Sequence, residues 1–166
     1  MRIVHGMLFL LVLVASGCAT LGQGLLPPRF EVAEDRQGEL RLLLPTPARP
    51  MGGASVRIWA RVQNPNPFGL TLSAVDGTLF MEQRQAALVD FPLGLPLGAA
   101  QDTVIPLDIG INFADVPALR DVLTRAVVGS PVGYRLDGRM TVDAGMLGRP
   151  IFGPTTLLQG EVQTRR

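Results

Sequence analysis

The chain has 166 residues, 47% of them apolar, which is enough for one domain with a buried core and too apolar for a disordered chain. Its 15 basic side chains are all arginine, and once Arg2 is set aside with the leader the remaining 14 balance the 14 carboxylates. Balanced, dispersed charge leaves no electrostatic footprint for nucleic acid, and an aromatic content of 5% argues against base-stacking platforms and sugar clefts.

The only histidine, His5, and the only cysteine, Cys18, both lie near the start of the chain, and there is no lysine. The remainder therefore has no imidazole, thiol or ammonium side chain. That excludes serine–histidine triads, cysteine nucleophiles, Schiff-base lysines, P-loops and His/Cys zinc sites, and no disulfide can form within the chain. Only carboxylate chemistry is left. No catalytic residue, metal site or cofactor is expected.

Residues 1–17 read as an export signal: a positive start at Arg2, an apolar run from Met7 to Val14, and the small residues Ala15, Ser16 and Gly17. Cys18 follows at once, and Val14-Ala15-Ser16-Gly17-Cys18 resembles the lipobox of bacterial lipoproteins. That resemblance implies a cysteine carrying acyl chains such as palmitate and serving as the new N-terminus. An ordinary secretory signal and a transmembrane anchor are the alternatives, and the apolar run is short for a span. Ala19, in place of aspartate, resembles an outer-membrane address, so the expected location is the bacterial envelope, facing the periplasm. Residues 18–28 form a Gly- and Pro-rich tether, and 29–166 the domain. About ten tether residues at ~3.3 Å each would reach up to ~33 Å from the bilayer.

Phe30 and Val32 begin a strand, Asp35 to Gly38 a turn, and Leu40, Leu42 and Leu44 alternate as a second strand. Pro45 to Gly53 is a loop. From Val56 the alternation is clear: Val56, Ile58, Ala60 and Val62 share one face, and Arg57, Trp59, Arg61 and Gln63 the other. Asn64-Pro65-Asn66-Pro67-Phe68-Gly69 then stops the strand. The prolines lack donors and bias the residues before them toward extended geometry. The asparagines can bond nearby backbone, and Phe68 is the expected buried anchor.

After the turn, Leu70 and Leu72 fall on even positions but Val75, Leu79 and Met81 on odd ones. Either a bulge near Asp76-Gly77 or an Asp-Gly hairpin there accounts for the change of phase. Residues 91–97 are irregular or edge structure. Ile105, Leu107, Ile109 and Ile111 mark another strand, with Pro106 indicating an edge. Asp115 to Val128 reads as a helix, with Asp115 at the N-cap, Gly129 at the exit, and Leu119, Val122, Leu123, Ala126 and Val127 as its buried stripe. It is either plain core or a lid over an apolar groove. Tyr134 to Val142 and Thr156 to Val162 supply the last two strands.

The sequence from Val56 through Asn64-Pro65-Asn66-Pro67-Phe68-Gly69 resembles the late embryogenesis abundant type 2 family, also called the WHy (water stress and hypersensitive response) domain. The resemblance extends over roughly 55–163, through the strand series that follows the turn. It implies a mainly β fold, an antiparallel β-sandwich of fibronectin III or immunoglobulin type with one α-helix at about 115–128. It also implies no catalysis and an association with desiccation and stress.

The carboxylates offer little else. Asp137 and Asp143 share a strand face but stand roughly 20 Å apart, too far for a glycosidase pair, and they alternate with arginines. Asp102 and Asp108 are similarly spread, and no loop gathers enough Asp or Asn for calcium. Trp59 lies among Arg57 and Arg61, either stacked on one of them or marking a partner surface. The expected function is a non-enzymatic, lipid-anchored envelope protein, stress-protective or scaffolding, whose partners are the membrane and a lipid or protein. The alternative is a carrier holding a lipid or other apolar ligand between sheet and helix.

Overall fold

The computed structural model describes residues 24–164 except 120, 121, 123, 124 and 127. Nine strands follow in chain order: β1 (Arg29–Val32), β2 (Gly38–Leu43), β3 (Gly53–Gln63), β4 (Leu70–Met81), β5 (Arg84–Phe91), β6 (Leu95–Leu97), β7 (Asp102–Asn112), β8 (Val132–Asp143) and β9 (Ile151–Thr164). β3 is the spine of one half. β7 pairs along its whole length on one edge, while β1 and β2 follow one another along the other. In the second half β9 pairs β8, β8 pairs β4, and β5 and β6 share the far edge of β4.

The halves join where β2 meets β9, and that pairing is parallel. The sheet is therefore mixed rather than wholly antiparallel, a departure from expectation with a topological cause. The turn after β3 reverses the chain into β4, so β2, β4 and β9 all run the same way, and the joint of β2 with β9 is parallel. One continuous buried cluster draws on both halves, including Val56, Ile58, Val62, Leu72, Val75, Leu79, Leu136 and Val162. The alternation read along β3 holds: Val56, Ile58, Ala60 and Val62 are all fully buried.

Three local expectations change. The phase switch in β4 is real, but the register slips between Leu72 and Ala74, and β4 passes straight through Asp76-Gly77 with neither bulge nor hairpin. Gly77 is instead a close-approach glycine: it faces Gly138 of β8, and a Cβ there would sit 2.2 Å from the Asp137 carbonyl oxygen. In β2 only Leu40 is buried; Leu42 is exposed although it pairs Ala54 of β3, and Leu44 is exposed beyond the last paired residue, Leu43. Phe68 is half-buried and stands apart from the cluster, so it does not anchor the turn.

The helix expected over 115–128 falls partly on residues outside those described, Leu123 and Val127 among them. Asp115 lies in a turn, its N–H donating to the Asn112 carbonyl at 3.1 Å, and Val116 rather than Asp115 flanks the first helical turn. Pro117–Leu119 forms a 3-10 turn, Val122, Arg125 and Ala126 are helical, and Leu119, Val122 and Ala126 are buried in the cluster. Gly129 takes the left-handed φ of 87°, consistent with its reading as an exit.

Candidate functional site: the asparagine turn and the tryptophan face

The turn after β3 crosses from one half of the sheet to the other, so its backbone polar groups cannot join a ladder. Apart from the Tyr134 hydroxyl, Asn64 and Asn66 are the only buried polar side chains among the described residues. The Asn64 amide nitrogen donates to the Phe68 carbonyl at 2.7 Å and the Gly98 carbonyl at 2.9 Å, with a longer contact to Leu97 at 3.4 Å. Its oxygen accepts from the Asn66 backbone N–H at 3.0 Å and the Asn66 side-chain nitrogen at 2.9 Å. Asn66 in turn pairs with both backbone groups of Leu26, accepting its N–H at 2.9 Å and donating to its carbonyl at 2.9 Å.

Backbone bonds complete the clasp, Asn64 N–H to the Gln101 carbonyl at 2.9 Å and Ala100 N–H to the Asn66 carbonyl at 3.0 Å. Three segments far apart in sequence are thus tied together: the entry at 24–28, the turn at 64–69 and the β6–β7 connection. Burial of amides is tolerable here because their bonds are made within the protein. Pro65 and Pro67 bring no N–H that would need a partner. That the asparagines bond nearby backbone was legible in the sequence. The partners 97, 98 and 26 were not, because they lie 33 to 40 residues away.

Trp59 lies on the outward face of β3. The Arg36 guanidinium stacks on it at 4.2 Å from the ring centroid, with Arg57 farther off at 5.9 Å. Arg36 carries no sequence signal for this role. It arrives because β1 and β2 both pair β3, so their connecting turn crosses Trp59, and Ala33 N–H bonds the Trp59 carbonyl at 2.9 Å. Beside the ring is an open groove of about 470 Å³ lined by Gln37, Gly38, Glu39, Gln163 and Thr164. Arg57 is bidentate to Asp108, with nitrogen–oxygen distances of 2.6 and 2.9 Å, and Arg61 meets Asp102 at 2.6 Å. Neither arginine is the principal stacking partner.

The carboxylates weighed for acid–base work are held by nearby donors. Asp137 accepts from Arg135 at 2.9 Å and Thr156 at 2.7 Å. Asp143 accepts from Arg149 at 2.9 Å and Gly145 N–H at 3.0 Å. The hydrogen bond from Arg57 holds the Asp108 carboxyl below its ordinary range, and the bonds from Gly145 and Arg149 do the same for Asp143. Among the described residues no three His, Cys, Asp or Glu side chains gather as metal ligands. Nor is any helix among them long and apolar enough to cross a membrane.

A two-part β-sheet domain whose central crossing is tied by buried asparagines is thus the class of protein at hand. The family profile described as late embryogenesis abundant protein matches residues 60–152, and the chain belongs to that family. Its fold is similar to that of an Arabidopsis thaliana protein solved in solution, with a TM-score of 0.59 at 16% identity over 86% of each chain. It is also similar to the solution structure of a protein described as late embryogenesis abundant, with a TM-score of 0.52 at 18% identity over 90% of this chain and 76% of that one. No curated protein matches the chain.

Proposed function

We infer that this protein is a lipid-anchored, non-enzymatic module of the bacterial envelope, held at the outer membrane through Cys18 and protective or scaffolding under desiccation and related stress. Family membership supports the stress role, and the lipobox-like Val14 to Cys18 supports the anchor. The absence of His, Lys and Cys beyond residue 18 supports a role without catalysis. In this reading the two halves of the sheet lie face to face as a sandwich, supported by the single cluster that draws on both and by contact between β5 and β7.

The observation that carries the module reading over the carrier is the filled core. Leu40, Ile58, Leu72, Leu79, Met81 and Leu136 are fully buried in one cluster, with Leu119 and Val122 packed among them. Space between sheet and helical segment is thereby occupied by side chains, and that segment serves as core cover rather than a lid.

The test joins chemistry to phenotype. Protein extracted from membranes should carry acyl chains at Cys18, and Cys18→Ser should leave the membrane fraction. Cells lacking the protein should survive drying less well and be rescued by the wild type but not by Cys18→Ser. Wild type found freely soluble, or drying survival unchanged by deletion, overturns the reading.

A further inference from the structure

We propose that the loop between β8 and β9 is a membrane-docking tip that seats the anchored domain against the lipid surface. The inference rests on the anchor reading and adds a second, separate contact. Leu26 is bonded to Asn66, β1 starts at Arg29 opposite Gln63, β4 starts at Leu70 opposite Leu97, and Thr71 faces Asp143. The entry segment, the asparagine turn and the β8–β9 loop therefore share one end of the sheet. Leu25 already packs on the core, so about seven residue steps separate Cys18 from the fold, roughly 23 Å at ~3.3 Å each. An anchor that short holds this end, and not the opposite one, toward the bilayer.

The loop is built to expose apolar side chains. Met146 is fully exposed, Leu147 60% and Ile151, at the start of β9, 64%. They are held out by a closed set of bonds. Leu147 N–H reaches the Ala144 carbonyl at 3.2 Å, Gly148 N–H the Gly145 carbonyl at 3.0 Å, and Ala144 N–H the Gly148 carbonyl at 3.0 Å. Gly145 and Gly148 take φ of 61° and 86°, values that side chains resist, and they make the reversal possible. Asp143 braces the loop through Gly145 and Arg149. Residues 144–151 carry no acidic side chain, and the carboxylate beside them, Asp143, is paired with Arg149, so the tip presents no unpaired negative charge to an anionic headgroup. Rigid presentation of a methionine and a leucine at the anchored end suits insertion at the interface, where apolar side chains leave water and the backbone stays wet.

Protein extracted from cells would carry Met146→Cys in one variant and Met51→Cys, at the opposite end, in another. Intact mass is read first, since acylation blocks Cys18 and leaves the introduced thiol for an environment-sensitive fluorophore. On vesicles of phosphatidylethanolamine and phosphatidylglycerol, the label at 146 should shift to the blue and be quenched by spin-labelled lipid, while the label at 51 stays water-like. Equal, water-like emission from both overturns the proposal. So does a blue shift at 146 without vesicles, the sign of a protein partner or second copy on the loop. If the mass shows no acyl chains, the anchor reading fails by itself, and the loop is judged by vesicle flotation. Wild type should then float, and Met146→Asp with Leu147→Asp should lower partitioning by about tenfold or more, the order expected for two apolar side chains. No flotation of wild type, or equal flotation of both, overturns the proposal. Unchanged circular dichroism guards against misfolding.

Discussion

Asn64 and Trp59 stand five residues apart on one chain segment, yet their environments invert what their side chains suggest. The amide is fully buried and the large ring is only half-buried, with Arg36 stacked on its face. Asn64 ties the turn to the β6–β7 connection and, through Asn66, to the entry segment by largely buried bonds, whereas the stack and ion pairs around Trp59 lie at the surface and are screened. Position in the fold, more than side-chain polarity, sets what each is worth. The turn should govern whether the domain holds together, while the tryptophan face should contribute little to stability.

The sharpest way to break that contrast is Asn64→Ala. It strips partners from the Phe68 and Gly98 carbonyls and from Asn66. At about 1–3 kcal/mol for each buried group left unpaired, the cost should be about 3 kcal/mol or more, read as a fall in the urea midpoint. A midpoint unchanged within error would mean that water replaces the amide and the clasp is dispensable. Asn66→Ala should cost somewhat less, about 2–3 kcal/mol, with a local signature. Its loss frees Leu26, so hydrogen exchange there should quicken more than in the core of β3. Phe68→Ala belongs lower. A half-buried ring outside the cluster should cost about 1–2 kcal/mol, against the ~3–5 of a buried phenylalanine, and a larger loss would restore the ring as the anchor.

Tyr134→Phe tests the same rule in reverse. Its hydroxyl is buried without a hydrogen-bond partner, and burial pushes its pKa up to about 12. Removing it should be neutral or stabilise by about 1 kcal/mol. The raised pKa also fixes a sign. From pH 10, where the unfolded phenol starts to ionise, up to about 12, the folded state holds the extra proton, so wild-type stability falls as pH rises. Tyr134→Phe should lose that part of the decline, and identical alkaline profiles would show a hydroxyl that reaches water.

Much of this fold was legible because a strand's period is local. The buried face of β3, the edge position of β7 with Pro106 opposite Trp59, and the inward set of β8 all follow from alternation. The bulge was legible as a change of phase but not as a place, since Val75 is the first residue to reveal a slip at Ser73. Nothing in the sequence marks the parallel joint of β2 with β9, which depends on where two distant strands end up. The site shows the same division. Asn64 and Asn66 were legible as backbone partners, while Leu26 and Arg36 were not, because only pairing along β3 brings them near. Phe68 misled because an aromatic beside a turn reads as an anchor, and here buried amides had taken that place.

The smallest effect concerns the charged face and separates it most cleanly from the turn. Asp108 is paired with Arg57, whose hydrogen bond holds the carboxyl below its ordinary value of 3.8, and the guanidinium is pushed the other way by the same contact. A lowered folded-state pKa means that the unfolded chain takes up this proton first as pH falls. The pair's contribution is therefore complete above about pH 4, and it declines as pH drops below 3.8 and through the lower folded-state value. Asp108→Asn should flatten the acid limb of the stability profile while barely moving the midpoint near pH 7, since both partners are largely in water. Added salt should shrink the difference between variant and wild type, but should leave the Asn64→Ala deficit in place because those bonds are buried. An Asp108→Asn loss at neutral pH as large as that of Asn64→Ala would erase the distinction between the two regions and make the tryptophan face a structural element of the fold.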